Sequence, residues 1–527
     1  MNFLWLNLLL GFGLIIYGMA TLTNIKIMLG ENLEAKVLKL DKSCRSFRIL
    51  KKSLDARNKS RIHHVYTVET FKSETPPPLE FEKPEKVSGE NLPSTTVIGA
   101  GPAGLFAALR LLERGLPCQV IERGKPVTER MRDISKHWKK GEIHPDSNVC
   151  FGEGGAGTFS DGKLITRIKS PFIEYTMQQF VRFGAPEEIL YLANPHVGSN
   201  KIRKVINLLT KYLNENGCPV HFETRAEKFL WSESRLEKVI SQDGKEFVSD
   251  NYILAAGHSA HDVYKSLFDA GVPCEAKSMA MGFRVEHPQV WVNEAQYGER
   301  WEHEELPVAN YKLTCHDKES GVGVYSFCMC PGGFVLPSSA QPGRMVVNGM
   351  SNYNHGSPFA NSGIVVTIDK DKWYPEGPAQ ALEFQAMIET KAQEAVEKAG
   401  GTIEVPAQKV GDFIQNKIGE LGKSSCTSGV IAVNLRDIYP KELTKAFINA
   451  LKNFNRKMPG FSGEEAILHG VESRTSSPVR ILRDSQSLNS PRFKNLYPAG
   501  EGAGFAGGIT SAGVDGIRIA ESICSQV

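Results

Sequence analysis

Near the N-terminus the hydrophobic and polar positions of the chain follow two different periods. Residues 22–29, 46–54 and 62–71 alternate between apolar and polar, which predicts three strands, whereas residues 31–42 repeat with the period of a helix. This order predicts a small α+β unit that has the length and alternation of half a ferredoxin-like sheet.

From residue 95 onward the pattern becomes strand, glycine-rich turn, helix and strand, which is the start of a βαβ unit. Between residues 275 and 465, strand-like runs and two long amphipathic helices, at 378–399 and 441–457, interrupt this rhythm before it returns near Asn495. We therefore expect an α/β fold, α+β overall, in which a discontinuous cofactor domain contains an inserted mixed β/α substrate domain. The predicted division is 1–20 (apolar segment), 22–71 (basic α+β unit), 72–93 (linker), 94–274 and 466–527 (cofactor domain) and 275–465 (inserted domain).

The first segment, residues 3–20, is almost wholly apolar and has the length of a membrane-spanning helix. No Lys or Arg precedes Lys26, unlike in a secretory signal, and the segment continues without a linker into strand-like alternation. Three interpretations are open: a membrane anchor, a cleaved signal, or sequence upstream of a true start at Met19. With an anchor, Lys26 and the basic residues after it would keep the folded part in the cytoplasm.

Composition narrows the class of protein. Hydrophobic residues make up 41% and charged residues 23% of the 527 residues, as in folded globular proteins. Lys plus Arg (62) exceeds Asp plus Glu (59) by three, which argues against a nucleic-acid-binding protein with a wholly basic surface. The ten cysteines include no CxxC pair, so neither a zinc site nor a secreted disulfide framework is indicated, and we expect a cytoplasmic protein without a structural metal.

The glycine-rich turn after the strand at 95–98 carries the most specific chemistry. Gly99, Gly101 and Gly104 have the GxGxxG spacing at which glycine permits a tight turn, a close approach to a pyrophosphate and tight helix packing. Glu122 ends the second strand, eighteen residues after Gly104, where an acid accepts the ribose hydroxyls of a dinucleotide. The spacing predicts a Rossmann-type site in which Glu122 disfavours a 2′-phosphate, despite Arg123 beside it.

Three further segments favour FAD over NAD. Residues 151–162 are too rich in glycine for a helix or strand core, which lets backbone amides approach an anionic ligand. Residues 253–257 end a strand in small residues. Residues 496–513 combine a strand, the acid Glu501 and a glycine-rich entry into a helix, which an NAD-binding domain does not need.

This set of segments resembles the glutathione-reductase-like class of FAD proteins. More narrowly, the runs NVCFGEGGAGTFSDGKL, SFCMCPGG, ESRTSSPVRI and YPAGEGAGFAGGITSAGVDGI resemble the bacterial and plastid family of FAD-dependent dehydrogenases (FAD/NAD(P)-binding oxidoreductases). The resemblance covers the chain from about residue 22 to the C-terminus and implies FAD as the cofactor. The cofactor-binding residues predicted from the motifs and the resemblance together are Gly99, Gly101, Pro102, Ala103, Gly104, Glu122, Arg123, Gly154, Gly155, Gly157, Gly257, Gly500, Glu501, Gly508 and Ile509.

Candidate catalytic residues come from two other motifs. Cys328 and Cys330 stand two residues apart at a predicted strand end, where their thiols would face the same side, and we take Cys330 as the candidate. Arg474 offers a guanidinium to the cofactor or to an anionic substrate. His258 and His261 are candidate proton donors, with a structural role as the alternative for each.

These observations predict an FAD-dependent dehydrogenase or reductase of a small, anionic organic substrate. No second GxGxxG with a distal acid is present, so the electrons would come from the substrate, from transiently docked NAD(P)H or from a protein donor. The alternative is a flavoprotein that binds RNA or a protein partner through its basic N-terminal unit, in which residues 36–61 hold ten Lys or Arg against two acids.

Overall fold

The computed structural model describes residues 20–527. One compact unit comprises the described residues up to Glu80 together with Leu190–Ala193, and a second comprises Phe81–Ile189 and Asn194–Val527. The apolar segment at 3–20 lies outside the described residues except for its last residue, so each interpretation of it stays a prediction. None of the helices within residues 20–527 is both long and apolar enough to cross a membrane.

The first unit is a three-stranded antiparallel sheet with one helix. Its elements are β1 (Ala20–Met28), α1 (Leu33–Leu40), β2 (Ser46–Asp55) and β3 (His63–Phe71). The helix starts at Asn32, whose side chain accepts a hydrogen bond from the backbone N of Ala35 at 2.8 Å. The strand order β1-β3-β2, with β3 antiparallel to both neighbours, is the order of half a ferredoxin-like sheet.

The second unit contains the other strands and helices. The strands are β4 (Thr95–Ile98), β5 (Cys118–Ile121), β6 (Val220–His221), β7 (Ala226–Trp231), β8 (Leu236–Ser241), β9 (Glu246–Phe247), β10 (Asn251–Leu254), β11 (Cys274–Ala276), β12 (Met279–Pro288), β13 (Thr314–His316), β14 (Gly323–Cys330), β15 (Gly333–Pro337), β16 (Val347–Ser351), β17 (Phe359–Ile368), β18 (Val405–Lys409), β19 (Val430–Ala432), β20 (Ile467–Glu472), β21 (Val479–Ile481) and β22 (Leu496–Pro498). The α-helices are α2 (Pro102–Glu113), α3 (Val127–Lys140), α4 (Phe172–Arg182), α5 (Gly198–Glu215), α6 (His261–Asp269), α7 (Gln289–Tyr297), α8 (Lys370–Trp373), α9 (Pro378–Lys398), α10 (Val410–Gln415), α11 (Lys441–Lys457) and α12 (Ile509–Cys524).

A five-stranded parallel sheet with the order β22-β10-β4-β5-β6 forms the centre of the predicted cofactor domain. Helices α2 and α12 follow β4 and β22 and pack against each other. Their backbones are so close that a Cβ added at Gly516 would lie 2.0 Å from the carbonyl oxygen of Ala103. In a parallel sheet the carboxyl ends of the strands form the ligand-binding edge, so β4, β10 and β22 present their last residues at one edge.

A seven-stranded mixed sheet has the order β13-β14-β17-β12-β20-β18-β19. Six of its strands lie within the segment 275–465 predicted as inserted, whereas β20 (Ile467–Glu472) belongs to the segment predicted as part of the cofactor domain. The buried side chain of Phe283 on its central strand β12 packs against the rings of Phe413, Tyr439 and Phe447. This apolar cluster attaches α10 and α11 to the sheet. The division of the unit into a cofactor domain and an inserted domain stays a prediction.

Candidate active site

The turn between β4 and α2 has the geometry that the glycine spacing predicts. Gly99 has φ +108°, and a Cβ there would lie 2.4 Å from the carbonyl oxygen of Ala255. A Cβ at Gly104 would lie 1.9 Å from the carbonyl oxygen of Gly99. Helix α2 starts after Gly101, and no side chain caps its first turn. The first backbone N–H groups of α2 are therefore free to face an anion.

The buried carboxylate of Glu122 joins this turn to the glycine-rich loop. It accepts hydrogen bonds from the backbone N atoms of Ala100 at 2.8 Å and of Gly124 and Gly152 at 2.9 Å each. A carboxylate has about four acceptor positions, so about one is left for a ribose hydroxyl. The contact of Glu122 with both ribose hydroxyls stays a prediction.

Arg123, also predicted to bind the cofactor, makes contacts of its own. Its guanidinium forms an ion pair with Asp262 at 3.0 Å and lies 3.7 Å from a carboxylate oxygen of Asp146. It also stacks over the ring of Phe151, at 4.4 Å from the centroid. Two carboxylates therefore balance the charge of Arg123 before any ligand binds.

Arg130 on α3 is fully buried and was missed in the sequence, because its helix was not predicted. Its guanidinium lies over the ring of Phe159, and burial lowers its pKa to about 10, so it is still a cation at neutral pH. It donates to four carbonyl oxygens at 2.7 to 2.9 Å. Those of Asn148 and Val149 lie just before the glycine-rich loop at 151–162, and those of Glu153 and Gly155 lie within it. One cation therefore fixes the path of a loop that has few side chains of its own.

The glycine-rich loop lies between the first turns of α2 and α12. The backbone N of Gly154 donates to the carbonyl oxygen of Ala100 at 2.8 Å. A Cβ at Gly155 would lie 3.1 Å from the Cα of Gly101, and one at Gly157 would lie 3.0 Å from the side chain of Ile509. Larger residues at these positions would fill the space between the two helix ends.

The C-terminal element completes the same edge of the sheet. Gly500 has φ +71°, and its backbone N donates to the Asp515 carboxylate at 2.8 Å. A Cβ at Gly502 would lie 2.6 Å from the carbonyl oxygen of Gly257. No side chain caps the first turn of α12, which starts after Gly508. The structure thus brings together the turn at 99–104, the loop at 154–157, Gly257 and the element at 500–509.

Glu501 has an unusual environment. Burial raises the pKa of its carboxyl group to about 8, and this group forms no hydrogen bond or ion pair with any other residue in the described range 20–527. A carboxyl group without a protein partner at this edge suits the hydroxyl groups of a ribityl chain. Two uncapped helix starts, glycines without room for a side chain and this carboxyl group together fit FAD.

A cleft with a cavity volume of about 30 Å³ borders the glycine-rich loop. Its lining includes Cys150, Ala156, His258, Asn348, Glu472 and Arg474. The guanidinium of Arg474 forms a bidentate pair with the Glu389 carboxylate at 2.9 Å, while its third nitrogen, Nη1, is buried and makes no hydrogen bond within residues 20–527. Burial and the charge of Arg474 lower the pKa of His258 to about 4, so its ring is neutral at neutral pH.

Cys330 is not among the residues that line this cleft and is fully buried. β14 ends at Cys330, as predicted, but the strand is irregular there, because the register between β14 and β17 shifts between Phe327 and Cys330, and Cys328 has φ +42°. A bulge of this kind turns side chains away from their regular alternation. Cys328 is half-buried, and the thiol of Cys330 lies 3.9 Å from Nη1 of Arg284.

Asp161, His196 and His355 present one possible ligand atom each within a small space. Asp161 accepts a hydrogen bond from Ser351 and lies 3.2 Å from Nε2 of His355. The ammonium of Lys163 lies at the same distance, 3.2 Å, from the Asp161 carboxylate. A fixed positive charge so close to the carboxylate opposes the binding of a metal cation.

Three family profiles match the chain. The profile described as "FAD binding domain" matches residues 95–131, and the one described as "FAD-dependent protein, C-terminal domain-like" matches residues 278–475. A "Domain of unknown function (DUF8436)" matches residues 24–71. With the parallel sheet and its glycine turn, these matches define an FAD-dependent oxidoreductase of a mixed α/β fold whose substrate is unidentified.

The chain belongs to the same family as a Clostridium beijerinckii protein described as uncharacterized. The two are 39% identical over 497 residues, which cover 91% of this chain and 92% of the relative. A second relative, protoporphyrinogen oxidase 2, chloroplastic/mitochondrial, of Arabidopsis thaliana, is 27% identical over 218 residues, covering 41% of this chain and 38% of that protein.

Solved structures that match include CtdE in complex with FAD and a flavoprotein/dehydrogenase from Cytophaga hutchinsonii. CtdE has a TM-score of 0.33 and 12% identity, covering 82% of this chain and 88% of CtdE. The Cytophaga protein has a TM-score of 0.33 and 11% identity, covering 82% of this chain and 78% of its own. Scores this low support no inference about substrate or mechanism.

Proposed function

We propose that the chain is a dehydrogenase or reductase that acts on a small anionic organic substrate in the cleft beside Arg474. The observation that carries this proposal is the buried Nη1 of Arg474, which lines the cleft and makes no hydrogen bond within residues 20–527. A buried N–H group without an acceptor is costly, and a carboxylate or phosphate oxygen of a ligand would satisfy it.

The charges around the cleft support an anion. Arg344 lies 3.7 Å from the Glu389 carboxylate, which also pairs with Arg474, so two cations share one anion. Although burial opposes it, the charge of Arg474 lowers the pKa of Glu389, which is therefore ionised. Burial lowers the pKa of His261, beside Arg344, to about 4, so this ring is neutral as well. Arg344, Arg474 and Glu389 together carry a net charge of about +1, and Glu472, which also lines the cleft, is paired with Arg284. This balance favours a singly charged anion.

The cofactor residues are part of the same proposal. The turn at 99–104 and the start of α12 at 508–509 would hold the phosphates and the flavin ring of FAD through their free N–H groups. Bound FAD supplies two-electron chemistry. His258, which follows Gly257 and lines the cleft, would accept or donate the proton of the substrate with its neutral ring. NAD(P)H or a protein donor would dock transiently.

Arg474→Gln is expected to raise the KM for an anionic substrate by roughly 10- to 150-fold, because a hydrogen bond to a charged group contributes about 1.5–3 kcal/mol. The measurement is anaerobic bleaching of the flavin by NADH, NADPH and a panel of carboxylates, phosphates and neutral alcohols. An anionic compound of the panel should bleach the wild-type flavin and should do so at much higher concentration with the variant.

Arg492→Gln is the matched control, because Arg492 is an exposed arginine close in sequence whose guanidinium donates to the carbonyl oxygen of Gly271 at 3.0 Å on the surface. It should leave the KM unchanged. Arg474→Lys keeps the charge beside Glu389 and serves if the Gln variant does not fold. Bleaching by neutral compounds alone, or an unchanged KM in both Arg474 variants, contradicts the proposal.

A further inference from the structure

Cys328 and Cys330 lie at a distortion of β14. The bulge at Cys328, with its positive φ of +42°, interrupts the pairing with β17. Bulges of this kind aim side chains in directions that a regular strand does not allow. The thiol of Cys330 donates to the carbonyl oxygen of Cys328 at 3.5 Å, so the two residues fold back on each other.

Two cations flank this pair. The ammonium of Lys163 donates to the carbonyl oxygen of Met329, between the two cysteines. The guanidinium of Arg284, which is fully buried, lies 3.4 Å from the carbonyl oxygen of Cys328 and 3.9 Å from the thiol of Cys330. A nearby cation stabilises a thiolate, which is the reactive form of cysteine.

The two thiols differ in acidity. The neighbouring Cys330 side chain, together with the charges of Lys163 and Arg284, lowers the pKa of Cys328 to about 6, although burial and Asp161 oppose the shift. The Cys328 side chain and burial raise the pKa of Cys330. Half-buried Cys328 is therefore the thiol that ionises more readily, and buried Cys330 is the one that keeps its proton more firmly.

The pair is connected to the proposed flavin site through Lys163. The residue after it, Leu164, accepts a hydrogen bond from Thr510 in the first turn of α12 at 2.8 Å. The charge of Cys328 also contributes to the raised pKa of Glu501, in the C-terminal FAD element. Lys163 contacts the backbone between the two cysteines, and its neighbour Leu164 contacts the first turn of α12, so two adjacent residues link the cysteine pair to a segment that fits FAD.

We propose that Cys328 and Cys330 are a redox couple that exchanges two electrons with the bound FAD. The Cys328 thiolate and the Cys330 thiol form a disulfide, two electrons pass to oxidised FAD, and the proton of Cys330 goes with them, giving the reduced anionic flavin. Charge and hydrogen balance in this step, and the reverse step reduces the disulfide. The couple depends on bound FAD and not on the proposed anionic substrate.

An anaerobic dithionite titration of the air-oxidised, full-length holoenzyme tests the couple. A flavin takes about two electrons and a disulfide about two more, so the wild type should consume about four electrons per FAD and Cys328→Ser about two. Alkylation under denaturing conditions, followed by peptide mass measurement, gives a second readout. The peptide with Cys328 and Cys330 should be unlabelled before reduction and doubly labelled after it.

Cys218→Ser is the control, because the buried thiols of Cys118 and Cys218 lie 3.3 Å apart and are another close pair. This variant should still consume about four electrons. The proposal is overturned by uptake of two electrons in the wild type, by full labelling of the Cys328 peptide in the oxidised protein, or by loss of the extra electrons in Cys218→Ser. If Cys328→Ser does not fold, the electron uptake and the peptide labelling of the wild type and of Cys218→Ser still test the proposal.

Discussion

Gly104→Ala is expected to yield protein that has lost most of its FAD. The new Cβ would lie 1.9 Å from the carbonyl oxygen of Gly99 and 3.1 Å from the side chain of Val97. The carbonyl oxygen of Gly99 is a backbone atom of the turn itself, so the clash can be removed only if the turn or the start of α2 moves. We expect a loss of about 3 kcal/mol in the free energy of unfolding, as for severe overpacking. The FAD-to-protein ratio and thermal unfolding measure both effects.

Gly356→Ala is the matched control, since Gly356 is exposed and a Cβ there would have no atom within 4 Å. It should keep the wild-type FAD content and change the free energy of unfolding by no more than about 0.5 kcal/mol. Equal FAD content in the Gly104 and Gly356 variants would show that the turn does not hold the cofactor.

Arg130→Met should lower the FAD content as well, although Arg130 is expected to contact the glycine-rich loop and not FAD itself. Four carbonyl oxygens of the loop would lose their donor, and each buried polar group left unpaired costs about 1–3 kcal/mol. We expect a loss of about 4 kcal/mol in the free energy of unfolding, measured by denaturant titration, and a lower FAD-to-protein ratio.

Arg132→Met controls for the loss of an arginine from the same helix, because Arg132 is exposed. Its effect on the free energy of unfolding should stay within about 0.5 kcal/mol. If Arg130→Met binds FAD with wild-type affinity, the loop at 148–155 does not depend on this guanidinium for its binding conformation.

Local sequence patterns were sufficient to predict most of the helices and strands. Helix α11 has its predicted bounds at Lys441–Lys457, because regularly spaced apolar residues follow Pro440. The glycines at 99 and 104 could be assigned to a tight turn because their roles are steric and depend on neighbours in sequence. The parallel order of β4 and β5 follows from the βαβ connection between them.

The residues that support the site were harder to predict. Arg130 and Arg132 look alike in sequence, and only long-range packing decides that the first is buried and the second exposed. Glu389 belongs to a helix rich in charge, and its pairing with Arg474, 85 residues away, has no local signal. The bulge at Cys328 depends on the pairing of β14 with β17, so the alternation of a regular strand could not predict it.

The central claim is that FAD binds at the edge where β4, β10 and β22 end, and a crystal structure of the FAD-containing protein tests it most directly. We expect phosphate oxygens at about 2.7–3.2 Å from backbone N atoms in the first turn of α2, with the flavin ring beside the first turn of α12. FAD whose phosphates contact neither helix would contradict the claim.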